Sequence, residues 1–221
     1  MDSKNLPVIR YGTPILDGHL DAMYLDSYCY AEKPMENMTY SPLGWEGAYR
    51  YMSNTRGKSY YLYDDKYLYI CSVVHDETLC SREKEWRMNT IWPWDDDGVE
   101  SYVWFSHQDT FAVHSDAHNI RSVVDEHVTG EHHISSGKYH DTPRQDWAAT
   151  IDWENKNYTV EIRIPLPDYV KAGSVIGTLL EIDDRFTADG PDTESMVGAL
   201  VVDSHYAGDP KFYVRLEEKT M

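Results

Sequence analysis

The sequence predicts an all-β fold: one antiparallel β-sandwich of immunoglobulin-like or jelly-roll type, with little helix, as a single domain over residues 1–221. Three observations predict it. Short runs of β-favouring residues recur along the whole chain. Turn residues separate those runs. No stretch sustains the 3.6-residue period of a long amphipathic helix. A chain of 221 residues is ordinary for one sandwich and long enough to bury a sizeable core.

The strand-like runs are 6–11, 45–52, 58–64, 66–75, 98–106, 110–115, 119–125, 147–152, 157–164, 175–186, 196–202 and 212–217. Between them lie Asp64-Asp65, Asp116-Ala117-His118-Asn119, Glu154-Asn155-Lys156-Asn157, Ala188-Asp189-Gly190-Pro191 and Gly208-Asp209-Pro210. Segment 19–31 reads as a short helix, and Leu166–Lys171 as a single turn. The clearest strand is Tyr158–Ile164. Tyr158, Val160, Ile162 and Ile164 share one face, Thr159, Glu161 and Arg163 the other, and Pro165 ends it. Residues 66–74 are apolar on both faces, the pattern of a central strand. The Gly-, His- and polar-rich segment 127–146 reads as a long loop.

Composition narrows the function. A net charge of −18 argues against nucleic acid and anionic membranes, both of which need a basic surface. It suits a neutral ligand. Aromatics make up 13% of the chain, with 18 Tyr and 7 Trp against 4 Phe. Rings with a polar edge therefore outnumber purely apolar ones, although strands also favour them. Cys29, Cys71 and Cys80 are odd in number and form no Cys-x-x-Cys, so neither a zinc ribbon nor a disulfide framework is read. One bridge and free buried thiols both stay open. No segment reaches transmembrane length. The N-terminus lacks the apolar run of a signal peptide. The chain is then either cytoplasmic or a mature domain of a larger secreted protein, at the cell surface or outside the cell.

The stretch Ile91-Trp92-Pro93-Trp94-Asp95-Asp96-Asp97-Gly98-Val99-Glu100 runs directly into an alternating strand. Val99, Ser101, Val103 and Phe105 form one face and read as core. Glu100, Tyr102 and Trp104 form the other. Flat rings beside a carboxylate suit a sugar, through stacking on its C–H face and paired hydrogen bonds to vicinal hydroxyls. Arg121, on the alternate face of its own strand, is a candidate neighbouring-strand partner for Glu100. The plain alternative for that pair is an exposed ion pair, and for Trp94 a loop anchor.

Other clusters are less specific. Seven of the ten histidines fall between His107 and His140, but in no zinc spacing, so solvated loop positions are expected. Asp95-Asp96-Asp97, Asp183-Asp184 and Asp189 are hard oxygen donors suited to a structural calcium, without EF-hand spacing to assign ligands. A glycosidase-like carboxylate pair is conceivable, but sequence supplies no separation. No Gly-x-Ser-x-Gly, His-Glu-x-x-His or phosphate loop is present.

The ordered motifs resemble the family 9 carbohydrate-binding modules, known as appendages of xylanases and related enzymes. Ile15-Leu16-Asp17-Gly18-His19-Leu20-Asp21 is similar to the family's opening, with Tyr24 or Tyr28 where the family has a Trp. Tyr63-Asp64-Asp65-Lys66-Tyr67-Leu68-Tyr69-Ile70, then Val74-His75-Asp76, resembles its next strand. Pro93-Trp94 through Glu100 resembles its Trp-to-Val-Glu element. Tyr158 through Pro165 resembles its Tyr-x-x-Glu-x-x-Ile-Pro strand, and Asp209-Pro210, Phe212 and Leu216 its terminal strand. The resemblance spans about residues 8–217.

The resemblance implies a β-sandwich that binds mono-, di- and oligosaccharides without catalysis, often at a chain end between two aromatic walls. Trp94 corresponds to one wall, Glu100 and Arg121 to hydroxyl-binding partners. The second wall falls at His205-Tyr206 in place of the family's Trp, making Tyr206 the candidate, with Asp203 as its neighbour. It implies a carbohydrate ligand, a role in polysaccharide degradation or uptake, a fused or associated glycoside hydrolase, and no required cofactor. The wider superfamily, DOMON-like, also includes haem-binding sandwiches with axial Met and His or Lys. Met88 and Met196 make haem-dependent electron transfer the rival reading, and a glycoside-active enzyme the next.

Overall fold

A β-sheet that is apolar on one face must bury that face against another layer. In the computed structural model two curled sheets do this for each other. The structure describes residues 5–30, 38–40, 49–51, 55–77, 79, 97–106, 110–116, 121–126, 139–185, 197–201 and 212–218. Its strands in chain order are β1 (Val8–Tyr11), β2 (Cys29–Tyr30), β3 (Met38–Tyr40), β4 (Tyr49–Tyr51), β5 (Arg56–Tyr63), β6 (Tyr67–His75), β7 (Gly98–Trp104) and β8 (Thr110–Asp116). There follow β9 (Arg121–Glu126), β10 (Tyr139–Asp141), β11 (Trp147–Asp152), β12 (Asn157–Pro165), β13 (Val175–Arg185), β14 (Val197–Val201) and β15 (Phe212–Leu216). The first sheet runs β10-β9-β8-β7-β13-β15-β1 and the second β1-β5-β6-β12-β11. β14 extends the first sheet beside β13, carrying β3 and β4, while β2 lies beside β5.

Strand β1 joins the two sheets. Val8 and Ile9 pair with β15, and Arg10 and Tyr11 pair with β5. Both pairings are parallel, so the sheets are mixed at this one strand and antiparallel at the other described pairings. β2, β3 and β10 are strands the sequence does not announce. Each is two or three residues long, too short for a period to register, and is held by a neighbouring edge. Segment 19–31 is not the expected helix. It holds only a 3₁₀ turn at Ala22–Asp26, capped by the Asp21 side chain, before Cys29 and Tyr30 pair with β5. Within the expected loop 127–146, residues from 139 onward are β10 and a 3₁₀ turn at Arg144–Asp146. Residues 127–138 lie outside the described residues. Among the described residues no helix is long and apolar enough to cross a membrane.

The main core lies between the sheets. Val99, Val103, Ile176, Leu180 and Ile182 of the first sheet meet Tyr61, Ile70, Tyr158, Val160 and Ile162 of the second. Tyr158 also donates its hydroxyl to the Gly98 carbonyl at 3.0 Å, tying the start of β7 across the core. The sheets approach closely at Gly57, where a Cβ would stand 2.5 Å from Ile182 Cδ1. A side chain there would require the ends of Ile182 and Val74 to shift.

A second, smaller core covers the outer face of the second sheet. Tyr24 packs there with Leu62, Tyr69 and Cys71. Tyr24 arrives on the segment 12–27, a strap laid over β6 and β12. Glu161 fastens it, accepting from Asp17 N at 3.0 Å, Gly18 N at 2.9 Å and the Tyr24 hydroxyl at 3.1 Å. Alternation on β12 put Glu161 on the outer side, yet it is 0% exposed because the strap lies on it. Burial pushes its carboxyl above the usual range, against the pull of those donors. Burial, with Glu161 beside them, also pushes the Tyr24 phenol and the Cys71 thiol up, so both stay protonated. Gly18 has φ +81°, and a Cβ there would meet the Ala149 carbonyl carbon at 2.9 Å. Only glycine fits that approach. Cys71 is a buried free thiol, and Cys80 lies outside the described residues.

The turn before β6 is built on Asp64. Its Oδ1 accepts from Lys66 N at 2.7 Å and Tyr67 N at 2.9 Å. Its Oδ2 accepts from the Tyr69 hydroxyl at 2.6 Å and the Thr13 hydroxyl at 3.0 Å. Partial burial alone would raise this carboxyl, but the four donors outweigh it and hold it below the usual range.

Two predictions follow from these carboxylates. Glu161→Ala leaves the strap's donors without their acceptor and should cost about 3 kcal/mol in denaturant unfolding. Glu161→Gln should cost about 1 kcal/mol or less, since its oxygen can serve Asp17 and Gly18 while its amide donates to Tyr24. The Asp64 carboxyl is depressed in the fold. Its contribution is therefore complete above its ordinary value of 3.8 and is lost as pH falls through the lower folded value. The stability gap between wild type and Asp64→Asn should accordingly be widest near neutrality and shrink on acidification, as read by urea midpoints across pH.

Candidate functional site

Strand β7 carries the described part of the candidate site. All seven of its residues are buried. Val99 and Val103, with Phe105 just beyond, enter the main core as alternation predicts. Glu100, Tyr102 and Trp104 face the other way. Glu100 is 6% exposed, and the Tyr102 hydroxyl donates to its Oε2. The Tyr102 and Trp104 rings stack with centroids 6.1 Å apart and planes 21° apart. These two rings are thus packed groups behind Glu100 and not open platforms.

The register says what surrounds Glu100. It pairs with His114 on β8 and Glu181 on β13. His114 in turn pairs with Val123 on β9. Arg121 sits two residues before Val123 and pairs with Asp116, which pairs with Gly98. Arg121 therefore has the same strand parity as Glu100 but is not on a neighbouring strand. β7, β8 and β9 form a meander, so β8 lies between them, placing the two backbones roughly 10 Å apart. His114 and Glu181 are the positions beside Glu100 that sequence reading missed. Finding them needed the β7–β8 and β7–β13 registers, which periodicity does not set.

Asp97, at the head of β7, is fully buried. Asp183 and Asp184 lie in β13, opposite Gly98 of β7 and Val197's neighbour Gly198 of β14 respectively. Trp92, Trp94, Asp95, Asp96, Asp189, Asp203 and Tyr206 fall outside the described residues, as do Met88 and Met196. The same holds for His107, His118, His127, His132 and His133, whereas His140 is exposed on β10. Among the described residues no three His, Cys, Asp or Glu side chains converge as a metal site.

The motifs that carried the family resemblance have structural work in the described residues. Asp17 and Gly18 are held by Glu161, and Asp64 organises its turn. Tyr158 ties β12 to β7. Of the residues to which the resemblance gives a ligand role, Glu100 and Arg121 lie within the described residues.

Comparison with known proteins agrees with this architecture. A structure described as a family 9 carbohydrate-binding module from Caldicellulosiruptor kristjanssonii in complex with cellotriose is similar, with a TM-score of 0.61 at 16% identity, over 98% of this chain and 95% of that one. A structure so described from the same organism, in complex with glucose, gives a TM-score of 0.60 at 16% identity, over 96% of each chain. At such identity the likeness establishes the fold, a β-sandwich. Among curated proteins none matches the chain. The family described as "Carbohydrate family 9 binding domain-like" matches residues 16–213, from the strap to the last strand, and the chain belongs to that family.

Proposed function

We propose that this protein binds carbohydrate without transforming it, taking a mono- or oligosaccharide or the end of a polysaccharide chain. The family match across residues 16–213 carries the reading. Two observations support it. The similar modules of known structure hold cellotriose and glucose. In sequence, Trp92-Pro93-Trp94 also stands a few residues before the strand whose Glu100 carboxylate is held by Tyr102.

In this reading the Trp94 ring stacks on the apolar face of the sugar, and Tyr206 is the opposing wall. The Glu100 carboxylate and the Arg121 guanidinium each bridge hydroxyls, with Asp203 beside Tyr206. A site whose polar groups expect hydroxyls rejects ligands lacking them, which is where selectivity arises. The charge of −18 suits an uncharged ligand. We place the protein outside the cell or on its surface, in polysaccharide degradation or uptake alongside a glycoside hydrolase. A calcium held by the clustered aspartates would serve structure only.

Calorimetric titration with glucose, cellotriose and xylo-oligosaccharides tests the reading. At least one should bind, and Trp94→Ala should weaken it tenfold or more, about 1.4 kcal/mol. No binding by the wild type, or equal binding by Trp94→Ala, overturns it. Chromogenic glycosides should not be turned over.

A further inference from the structure

We infer that Tyr102 is a positioning residue for Glu100, holding its carboxylate in the orientation that receives sugar hydroxyls. The inference rests on the carbohydrate-binding reading and deepens it.

A glutamate on a strand has three side-chain torsions to lose. Freezing them on binding opposes affinity by up to about 2 kcal/mol, read as a factor of up to about thirty. Glu100 is already held. Residues two apart on a strand share a face about 6.8 Å apart, and the Tyr102 phenol closes that gap by donating to Glu100 Oε2. A donor can orient an acceptor only if it is itself immobile. Tyr102 is 1% exposed, and its ring lies against Trp104. Gly177 stands opposite Trp104 on β13, which leaves the indole space over the sheet. Leu179, also buried, stands opposite Tyr102. Three alternate residues of one strand thus form a series: Trp104 backs Tyr102, and Tyr102 orients Glu100. Preorganisation of this kind raises affinity without adding a contact to the ligand.

The test is a double-mutant cycle on the full chain. Wild type, Tyr102→Phe, Glu100→Gln and the double variant are titrated calorimetrically with glucose and cellotriose, and their thermal unfolding is followed in parallel. Tyr102→Phe keeps the ring and its stack and removes only the donor. It should weaken binding about five- to tenfold. In the Glu100→Gln background the same change should weaken binding less than twofold, because the phenol acts through the carboxylate. A purely structural role would lower the unfolding temperature and leave affinity alone. If Tyr102→Phe fails to fold, Trp104→Phe, which narrows the ring behind the phenol, should weaken binding by a smaller factor that also vanishes with Glu100→Gln. Full affinity in the folded variant, or an equal loss in both backgrounds, overturns the inference and leaves the carbohydrate reading standing. Absence of sugar binding by the wild type overturns both.

Discussion

The Glu161 carboxylate, buried under the strap of residues 12–27, is the constraint on which much of the remaining structure depends. Taking a carboxylate out of water is expensive unless donors replace the water. Here two backbone amides and a phenol do so. The donors come from one short segment, so satisfying the charge also decides where that segment lies. The strap in turn seals Leu62, Tyr69 and Cys71 beneath Tyr24, and so converts the outer face of the second sheet into interior. Its raised carboxyl pKa shows that burial still outweighs the donors. Ionised Glu161 therefore detracts from stability as pH rises past the usual carboxylate range. What it contributes is a single position for the strap, because a placement that covered the carboxyl without aligning these donors would bury it unpaired.

That placement reaches the first sheet through β1. The strand entering the strap pairs with β15 at its beginning and β5 at its end. A strand shared by two sheets fixes how one is set over the other. The Tyr158 hydroxyl on the Gly98 carbonyl makes a second tie, at the first residue of β7. β12 thereby holds the strap on one face and, across the other, the head of the strand that bears Glu100.

This division explains why family and ligand are legible to different degrees. The motif residues Asp17, Gly18, Asp64, Tyr158 and Glu161 satisfy backbone groups or permit close approaches. They are recognisable as letters in chain order. Of the residues proposed to meet the sugar, Glu100 lies within β7 and Arg121 at the start of β9. Their mutual arrangement is set by strand order and register, which no periodicity encodes.

By itself, the sequence determined the longer strands and their faces. Alternation placed Val99, Val103 and Phe105 in the core, gathered Tyr158, Val160 and Ile162 on one face of their strand, and read 66–74 as a central strand. The side-chain period of a strand is a local property, so a local reading recovers it. Only the tertiary structure decided which outward faces stay outward. Glu161 became interior because a distant segment covers it. Tyr102 and Trp104 became a packed support for Glu100 and not a sugar platform. Arg121 came to lie beyond β8, with His114 and Glu181 beside Glu100 instead. Each outcome depends on which strands become neighbours and in what register, and those are relations between distant segments of the chain.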